Sequence, residues 1–334
     1  MAPRAKHVIV VGASAGGVEA LRSLVAGVPA DFTAPICVVM HTSPESPGIL
    51  GEILARAGRL PAATARNLEP LRPGRIYVAP PDCHLLLEPG RLRVTKGPRE
   101  NRFRPAIDPL FRSAAQVFGP AAIGVVLTGD LDDGVAGLWA IKKLGGIAIV
   151  QDPAEALFPS MPQHAVDYVA PDYVVPLARI VTVLERLTTS SPGEAGDIHV
   201  PDYMNVELNI AKEDNPVDAG LQRIGDPSSF ACPECHGVLL KLKQEGRLRF
   251  RCHTGHAYSV TSLMAAISEG VEHSLWTAIR ALEEGGLYLR QMADVASHDA
   301  AESARLVKRA DDLRTKSEAL RRIATAREPE PTPG

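Results

Sequence analysis

A glycine-rich turn close to the N-terminus contains a serine that can act as a nucleophile. Residues 12–17 have the sequence G-A-S-A-G-G and follow the apolar run Val8–Val11. A dinucleotide-binding turn needs glycine at the position of Ser14, and a P-loop needs lysine at the position of Val18. The pattern G-x-S-x-G instead favours a sharp strand-to-helix turn that exposes the Ser14 hydroxyl. The alternative is an anion-binding turn in which Ser14 only caps the next helix.

Two further apolar runs end in side chains that can activate this serine. A serine hydroxyl needs a histidine base, which is itself oriented by a carboxylate. His41 directly follows the run Ile36–Met40, and the acidic segment 128–134 follows the run Ile123–Leu127. Because the carboxyl ends of parallel strands meet at one edge of a sheet, we expect these groups to lie close to Ser14. The chain order Ser, His, Asp differs from that of α/β-hydrolases, so the pattern predicts a triad on another doubly wound fold.

The residues alone leave alternatives for both partners. His84 and His164 are rivals of His41 as the base. The carboxylate can come from Asp130, Asp132 or Asp133, and such acids can also simply cap the helix that follows.

A second cluster of reactive side chains lies in the C-terminal half. Sixteen residues separate the sequence C-P-E-C at 232–235 from C-H-T-G-H at 252–256. Three thiolates and one imidazole suit a closed tetrahedral zinc site, and such sites fold small modules. The predicted ligands of this structural zinc are Cys232, Cys235, Cys252 and His256. His253 is the alternative imidazole, and unliganded or redox-active thiols are the alternatives to a metal site.

The residues between the two cysteine pairs alternate apolar and basic side chains around Glu245-Gly246. This pattern predicts a β-hairpin, and therefore a zinc ribbon. The basic residues are expected on a solvated face, with a face for an anionic partner or RNA as the alternative; they are Lys241, Lys243, Arg247, Arg249 and Arg251.

Apolar runs that alternate with amphipathic stretches predict the fold that positions Ser14, His41 and the acids. The fold class is α/β, with a doubly wound, mainly parallel sheet followed by a small zinc-ribbon and helical-hairpin module. An inserted β-hairpin is predicted at His84–Thr95. The predicted segments are a catalytic domain at 1–187, a linker at 188–229, a zinc ribbon at 230–258, a helical hairpin at 259–326 and a disordered tail at 327–334.

The helical region is expected to break near Gly285-Gly286 and around Ser297–Asp299. In its last part Leu306, Leu313 and Leu320 recur every seven residues, which predicts a narrow apolar stripe along one helix face.

Composition excludes several classes of protein. The net charge is −3, so no basic field points to nucleic acid. The run Val8–Val11 is too short for a signal peptide, and no stretch is long enough to insert into a membrane. We therefore expect a cytoplasmic protein with reduced thiols.

Six motifs, in order, resemble the CheB family of chemotaxis methylesterases over residues 7–185. They are VGASAGG (11–17), VVMHTSP (38–44), IYVAPPDCHL (76–85), NRFRPAIDPLF (101–111), VVLTGDLDDG (125–134) and SMPQHA (160–165). The resemblance implies that Ser14 is the nucleophile, that His41 is the base and that Asp133 orients it. It further implies hydrolysis of glutamyl methyl esters on methyl-accepting chemotaxis receptors without a catalytic cofactor, with glutamine deamidation as a second activity and a glutamate methyltransferase as counterpart.

The chain departs from the family pattern in two respects. Asp130 and Leu131 replace Met and Gly of the motif T-G-M-G-x-D-G, and no receiver domain is expected ahead of the first strand. A carboxylate near the oxyanion site can weaken anion binding, so a signalling scaffold that binds a partner is the alternative to an active esterase.

Several further side chains are expected at the site. Backbone amides near Ala15 and in the 129–131 turn are the candidate oxyanion donors. Thr42 and Met161 are expected to line the pocket on resemblance alone. The basic residues Arg102 and Arg104 either contact an acidic receptor helix or are ordinary surface residues.

Overall fold

The N-terminal part of the chain is a seven-stranded parallel sheet with helices on both faces. A computed structural model describes residues 6–193, 200–213, 215–242 and 248–326. The strands, in chain order, are β1 (Val8–Ala13), β2 (Ile36–Met40), β3 (Ala62–Thr64), β4 (Ile76–Val78), β5 (His84–Glu88), β6 (Arg91–Thr95), β7 (Ala122–Val126), β8 (Ile147–Gln151) and β9 (Tyr173–Val175). The sheet order is β3-β4-β2-β1-β7-β8-β9, and all six pairings are parallel.

The helices of this part cover the sheet in two layers. They are α1 (Gly17–Gly27), α2 (Leu50–Ala57), α3 (Ile107–Phe118), α4 (Val135–Lys143), α5 (Ser160–Val169) and α6 (Leu177–Thr189). Along β1, Val8 and Val10 belong to the core that includes α3, α4 and α5, whereas Ile9 and Val11 belong to the core that includes α1, α2 and α6. Both faces of the strand are buried, which explains why its sequence is a continuous apolar run. The predicted doubly wound fold is confirmed.

The predicted strands are present, and two further strands lie at the edges of the sheet. β3 and β9 were not predicted, because each has only three residues and these are not fully buried. The predicted hairpin is formed by β5 and β6, and its turn contains Gly90 with φ 77°.

The segment that the sequence assigns to a linker contains two helices, α7 (Asp202–Ala211) and α8 (Leu221–Ile224). Met204 and Leu208 of α7 are fully buried in the same core as α3. The polar composition of this segment conceals the helix, because its Glu207 is buried against arginines from a later strand.

A four-stranded antiparallel sheet follows. Its strands are β10 (Gly225–Ala231), β11 (Val238–Leu242), β12 (Arg249–Cys252) and β13 (Ala257–Ser259), in that order. The predicted hairpin corresponds to the pairing of β11 with β12, while the predicted turn at Glu245-Gly246 lies outside the described residues. The chain divides into two compact units, Met1–Leu263 and Met264–Gly334. The four-stranded sheet thus shares a unit with the parallel sheet, whereas the sequence places a domain boundary between them.

Two long helices, α9 (Val260–Val295) and α10 (Ala300–Thr325), follow this sheet. The helix α9 continues through Gly285-Gly286, where the sequence predicts a break. A Cβ atom on Gly285 would lie 3.2 Å from the Leu313 side chain, so the glycines allow α10 to approach closely. The chain does turn before α10, where the Asp299 side chain accepts hydrogen bonds from the amides of Ala301 and Glu302.

The predicted stripe on α10 includes two buried residues, Ala310 and Ser317, while its three leucines are half-buried. The predicted tail, 327–334, lies outside the described residues. Within the described ranges, no helix combines the length and the apolar character that crossing a membrane requires.

Candidate active site

Ser14, His41 and Asp133 form a continuous chain of hydrogen bonds. The Ser14 Oγ lies 3.0 Å from Nδ1 of His41, and Nε2 of the same ring lies 2.7 Å from Oδ2 of Asp133. The imidazole therefore carries its proton on Nε2, towards the carboxylate, and offers Nδ1 as the acceptor for the serine hydroxyl.

The parallel sheet brings these three residues together. Ser14 follows β1, His41 follows β2, and Asp133 lies in the loop after β7; these three strands are neighbours in the sheet. The strand pairing continues for one step into the loops, because the His41 amide donates to Ala13 O and the Ser14 amide donates to Thr128 O. The site thus lies at the carboxyl edge of the sheet, as ligand sites in such folds do.

The Asp133 carboxylate is buried and saturated with donors. Its Oδ2 also accepts the Ile107 amide at 2.6 Å, and its Oδ1 accepts Asn101 Nδ2 at 2.8 Å. Burial opposes ionisation of Asp133, but the hydrogen bonds from His41, Ile107 and Asn101 outweigh it and hold its pKa below the usual range. Asp133 therefore remains a carboxylate that can orient and stabilise the imidazole ring.

The rival acids and bases have other surroundings. Asp130 is exposed, and Asp132 accepts a hydrogen bond from Ser259 Oγ at 2.7 Å. Both ring nitrogens of His84 are engaged by backbone groups, Pro98 O and the Ala106 amide. Nδ1 of His164 lies 2.9 Å from Leu131 O.

An open cleft of about 510 Å³ leads to Ser14 and His41. The Phe103 ring stacks on the His41 imidazole, with centroids 3.6 Å apart and an angle of 7° between the planes. The cleft is lined by Ser14, Ala15, His41, Thr42, Ser43, Pro44, Arg99, Arg102, Phe103 and Arg104. Sequence reasoning missed Phe103, although it lies in a motif that was identified.

Two expectations about the pocket need correction. Met161 is fully buried and packs against Gly129, so it does not line the cleft. The Gly129 amide donates to Phe158 O and is therefore not free to bind an oxyanion. Ala15, in contrast, does line the cleft beside Ser14.

The cysteine cluster is also brought together by the fold. One ligand atom from each of Cys232, Cys235, Cys252 and His256 lies within 4.8 Å of the others. The sulfurs of Cys235 and Cys252 are 3.5 Å apart, and His256 Nδ1 lies 3.6 Å from the sulfurs of Cys232 and Cys252. The rival imidazole of His253 packs against Gly237 instead.

These distances fit a tetrahedral metal ion. Sulfur atoms bound to one zinc at about 2.3 Å lie about 3.8 Å apart. A hydrogen bond from Cys232 lowers the pKa of the Cys252 thiol, which favours the thiolate that binds metals. The four residues can therefore hold a metal ion.

Part of the predicted basic face is buried. Arg249 is 1% exposed and Arg251 is fully buried, whereas Lys241 is exposed; Lys243 and Arg247 lie outside the described residues. Arg249 donates twice to Glu207, at 2.6 and 2.9 Å, and Arg251 donates to both Glu100 and Glu207. The alternating pattern alone indicates a solvated face, because the acids that pair with these arginines lie far away in the sequence.

A serine, a histidine and a carboxylate in hydrogen-bond contact at the edge of a parallel sheet form the type of site found in serine hydrolases. The model of the CheB methylesterase family matches residues 9–184, more than half of the 334 residues. The chain belongs to the CheB methylesterase family, as its six motifs predict. The expected enzyme class, a methylesterase, is confirmed at the level of the family.

Individual relatives agree with this assignment. A protein of Leptospira interrogans is 39% identical over 180 residues, which are 54% of this chain and 93% of that protein. A protein-glutamate methylesterase/protein-glutamine glutaminase of Anaeromyxobacter dehalogenans is 42% identical over 54% of this chain, and the protein-glutamate methylesterase FrzG of Myxococcus xanthus is 38% identical over 53%. This chain spans 53% of the length of each of these two relatives.

A solved structure supports the fold as well. The methylesterase catalytic domain of CheB from Thermotoga maritima is 32% identical, with a TM-score of 0.52. The match covers 54% of this chain and 98% of that structure.

Proposed function

We propose that this chain hydrolyses glutamyl methyl esters on methyl-accepting chemotaxis receptors or related signalling proteins. Deamidation of glutamine on the same proteins is the second activity of the proposed site. The observation that carries the proposal is the chain of hydrogen bonds from Ser14 through His41 to Asp133 at the base of an open cleft.

The proposed reaction proceeds through an acyl-enzyme. His41 Nδ1 accepts the Ser14 proton as Oγ attacks the ester carbonyl, and Asp133 stabilises the imidazolium that forms. The imidazolium then protonates the departing methoxide, which leaves as methanol. A water molecule, activated by His41, attacks the acyl-enzyme and releases the glutamate side chain and Ser14. With a glutamine substrate, ammonia leaves in place of methanol.

The negative charge that develops on the carbonyl oxygen needs donors at the start of α1. Ala15 lies in the turn between β1 and α1, next to Ser14, and lines the cleft. Backbone amides of this turn and the positive end of the α1 dipole are the proposed oxyanion site. Asp130 is exposed and does not line the cleft, so its charge is screened by water from this position.

Charge at the cleft supports a protein substrate with acidic side chains around the ester. Three arginines line the cleft: Arg99, Arg102 and Arg104. Arg104 is tied to Asp82 by hydrogen bonds of 2.9 and 2.6 Å, so part of the positive charge is held in a fixed position. We propose that these arginines contact acidic residues on a receptor helix.

We propose zinc as the ion of the cysteine cluster, with a structural role. Cys232, Cys235, Cys252 and His256 would hold the ion, which would cross-link the loop between β10 and β11 to the end of β12 and the loop that follows it. A glutamate methyltransferase that produces the ester is the proposed counterpart enzyme. Reduced cysteines of this kind suit the cytoplasm, which is the proposed location.

Labelling with a serine-directed fluorophosphonate tests the activated serine. We expect the zinc-loaded wild type and the control variant Ser46→Ala to be labelled, and Ser14→Ala and His41→Ala to remain unlabelled. Ser46 lies outside the cleft lining. A folded wild type that is not labelled would contradict an active esterase and would favour the scaffold alternative.

A further inference from the structure

Asn101 connects the proposed catalytic site to the start of α9. It is 2% exposed, and its side chain makes four hydrogen bonds. Nδ2 donates to Asp133 Oδ1 at 2.8 Å and to Asp108 Oδ2 at 3.0 Å. Oδ1 accepts the Ser259 amide at 3.0 Å and the Ser262 hydroxyl at 3.2 Å. Both donors and both acceptor positions of the amide are therefore in use.

The two serines form a capping box at the beginning of α9. Ser259 Oγ accepts the Ser262 amide at 2.9 Å, and the Ser259 amide in turn donates to Ser262 Oγ at 2.9 Å. This reciprocal pair fixes the first turn of the helix. The same two serines donate the hydrogen bonds to Oδ1 of Asn101.

The backbone on either side of Asn101 is also held by β13. The Asn101 amide donates to Ala257 O at 2.7 Å, and the Ala257 amide donates to Arg99 O at 3.1 Å. Phe103, which stacks on His41, lies two residues after Asn101. The segment that carries Asn101 and Phe103 is thus paired with the strand that directly follows His256.

We propose that Asn101 is a positioning residue for the triad, and that Ser259 and Ser262 hold it in place so that β13 and the first turn of α9 complete the active site. This inference rests on the proposed esterase function. Both serines lie outside the family match, which ends at residue 184.

The physical reason is the pair of buried carboxylates on either side of the Asn101 amide. Asn101 Nδ2 bridges Asp133 and Asp108, whose negative charges would otherwise face each other. Without the bridge, Oδ1 of Asp133 keeps only the amide of Asp108, at 3.4 Å. Oδ2 keeps the Ile107 amide, but Oδ1 loses its strongest donor, so the carboxylate is held mainly through the oxygen that faces His41 and orients the imidazole less tightly.

The test compares Asn101→Gly, Ser262→Ala, the double variant and wild type in the zinc-loaded full chain. Glycine is chosen because Asn101 has φ 50°, a conformation that glycine adopts without strain. We expect Asn101→Gly to lower kcat for methyl ester hydrolysis on the order of 10²-fold with KM little changed, because misplacement of a catalytic group costs about this much. Ser262→Ala is expected to lower kcat about fivefold, the equivalent of about one hydrogen bond.

The double variant separates positioning from stability. If Ser262 acts on the triad through Asn101, then Ser262→Ala lowers kcat in the wild-type background but not in the Asn101→Gly background. Its effect on thermal stability, which comes from the capping box, persists in both backgrounds. The control is Ser274→Ala in the same helix. The exposed Ser274 hydroxyl donates to the backbone carbonyl of Gly270, one helical turn earlier.

A measurement that needs no turnover distinguishes this inference from the proposed function. The imidazole proton shared by His41 and Asp133 gives a downfield proton NMR signal, assigned by its absence in His41→Ala. We expect this signal in wild type and Ser274→Ala, and its shift or loss in Asn101→Gly. If wild type lacks esterase activity but the signal changes in this way, the esterase proposal fails and the positioning role stands. An unchanged signal in folded Asn101→Gly, or an unchanged kcat in an active enzyme, would overturn the inference.

Discussion

The parallel sheet and the four-stranded sheet of the same unit are stabilised by different forces. The parallel sheet is enclosed by two large clusters of fully buried apolar residues. Around the four-stranded sheet, one apolar cluster has only five buried members, which are Val206, Ile210, Leu221, Ile224 and Leu242. Buried charges join the four-stranded sheet to its surroundings, and the cysteine cluster lies within that sheet, where its strands are connected.

The buried charges come from distant parts of the chain. Glu100, Asp108 and Arg112 belong to the methylesterase domain, Glu207 to α7, and Arg249 and Arg251 to β12. Burial opposes ionisation of Glu100, but Arg112, Arg251 and Arg249 outweigh it and hold its pKa below the usual range. Burial and the Asp133 charge raise the pKa of Asp108 to about 6.

Apolar burial therefore stabilises the parallel sheet, whereas paired buried charges determine how the four-stranded sheet is aligned against the methylesterase domain. An apolar contact tolerates small shifts, but a buried ion pair is favourable only when the charges meet in good geometry. Such pairing suits the four-stranded sheet, because the first turn of α9, which follows β13, has to hold Asn101 in one position.

The largest expected effect is the loss of one buried arginine. Arg251→Met keeps most of the side-chain volume but leaves Glu100 and Glu207 without one of their partners. We expect the free energy of unfolding to fall by about 3–5 kcal/mol, because a buried charge is left uncompensated. Urea unfolding followed by circular dichroism measures the change.

The matched control for this variant is Arg91→Met. Arg91 is half-exposed and pairs with Glu88 at 2.7 Å, and such pairs contribute about 0–1 kcal/mol. Equal destabilisation by the two substitutions would contradict the special role assigned to the buried charges.

Removal of the metal is expected to have the next largest effect. A metal present at about 100 times its dissociation constant stabilises the folded chain by about 2.7 kcal/mol, so chelation should remove this amount. We expect hydrogen–deuterium exchange to increase in β10–β13, while β1 and β7 stay protected.

Metal analysis of cysteine variants gives the control for this prediction. Cys235→Ser should lose one zinc per chain, whereas Cys83→Ser should retain it, because Cys83 lies outside the cluster. Retention of zinc by Cys235→Ser, or exchange that rises equally in β1, would show that the metal does not act on the four-stranded sheet.

The smallest expected effect concerns pH. It is a change with pH in the difference between the free energies of unfolding of wild type and Arg251→Met. The folded pKa values of Glu100 and Glu207 lie below their unfolded values, so their contribution is present above about pH 4.3 and is lost as the pH falls towards the folded values. In Arg251→Met the two acids take up protons at higher pH. This difference should therefore narrow as the pH is lowered from 7 towards 2, and the full change of about 1.4 kcal/mol for each pKa unit that the arginine supplies is reached only near the folded pKa values of wild type. A difference in free energy of unfolding that stays constant over this pH range would show that Arg251 acts through packing alone.

The sequence allows prediction of those parts of the molecule that depend on local pattern. The strand β1 is predicted because both of its faces are apolar, and Ser14 and His41 are predicted to meet because each follows a strand of the same parallel sheet. The spacing of the second cysteine motif favours His256 as the predicted fourth ligand, and the structure places it beside the thiols.

The parts that were missed depend on contacts between distant segments. Arg249 and Arg251 look solvated until Glu100 and Glu207 are brought to them, and Asn101 has no local feature that connects it to Ser259, 158 residues later. The predicted start of the helical hairpin at 259 agrees with the start of α9 at Val260, and Ser259 is a residue type that commonly caps helices. This residue type carries no information, however, about the asparagine that the cap holds.

Release of methanol from a methylated receptor tests the central claim most directly. The substrate is the cytoplasmic fragment of a methyl-accepting chemotaxis receptor whose glutamyl methyl esters carry a radiolabel, and the enzymes are wild type, Ser14→Ala and Ser46→Ala. We expect labelled methanol from wild type and Ser46→Ala, and a fall on the order of 10⁶-fold, to background, for Ser14→Ala. Methanol release that persists in Ser14→Ala, or that is absent from a folded and zinc-loaded wild type, would contradict the proposed esterase.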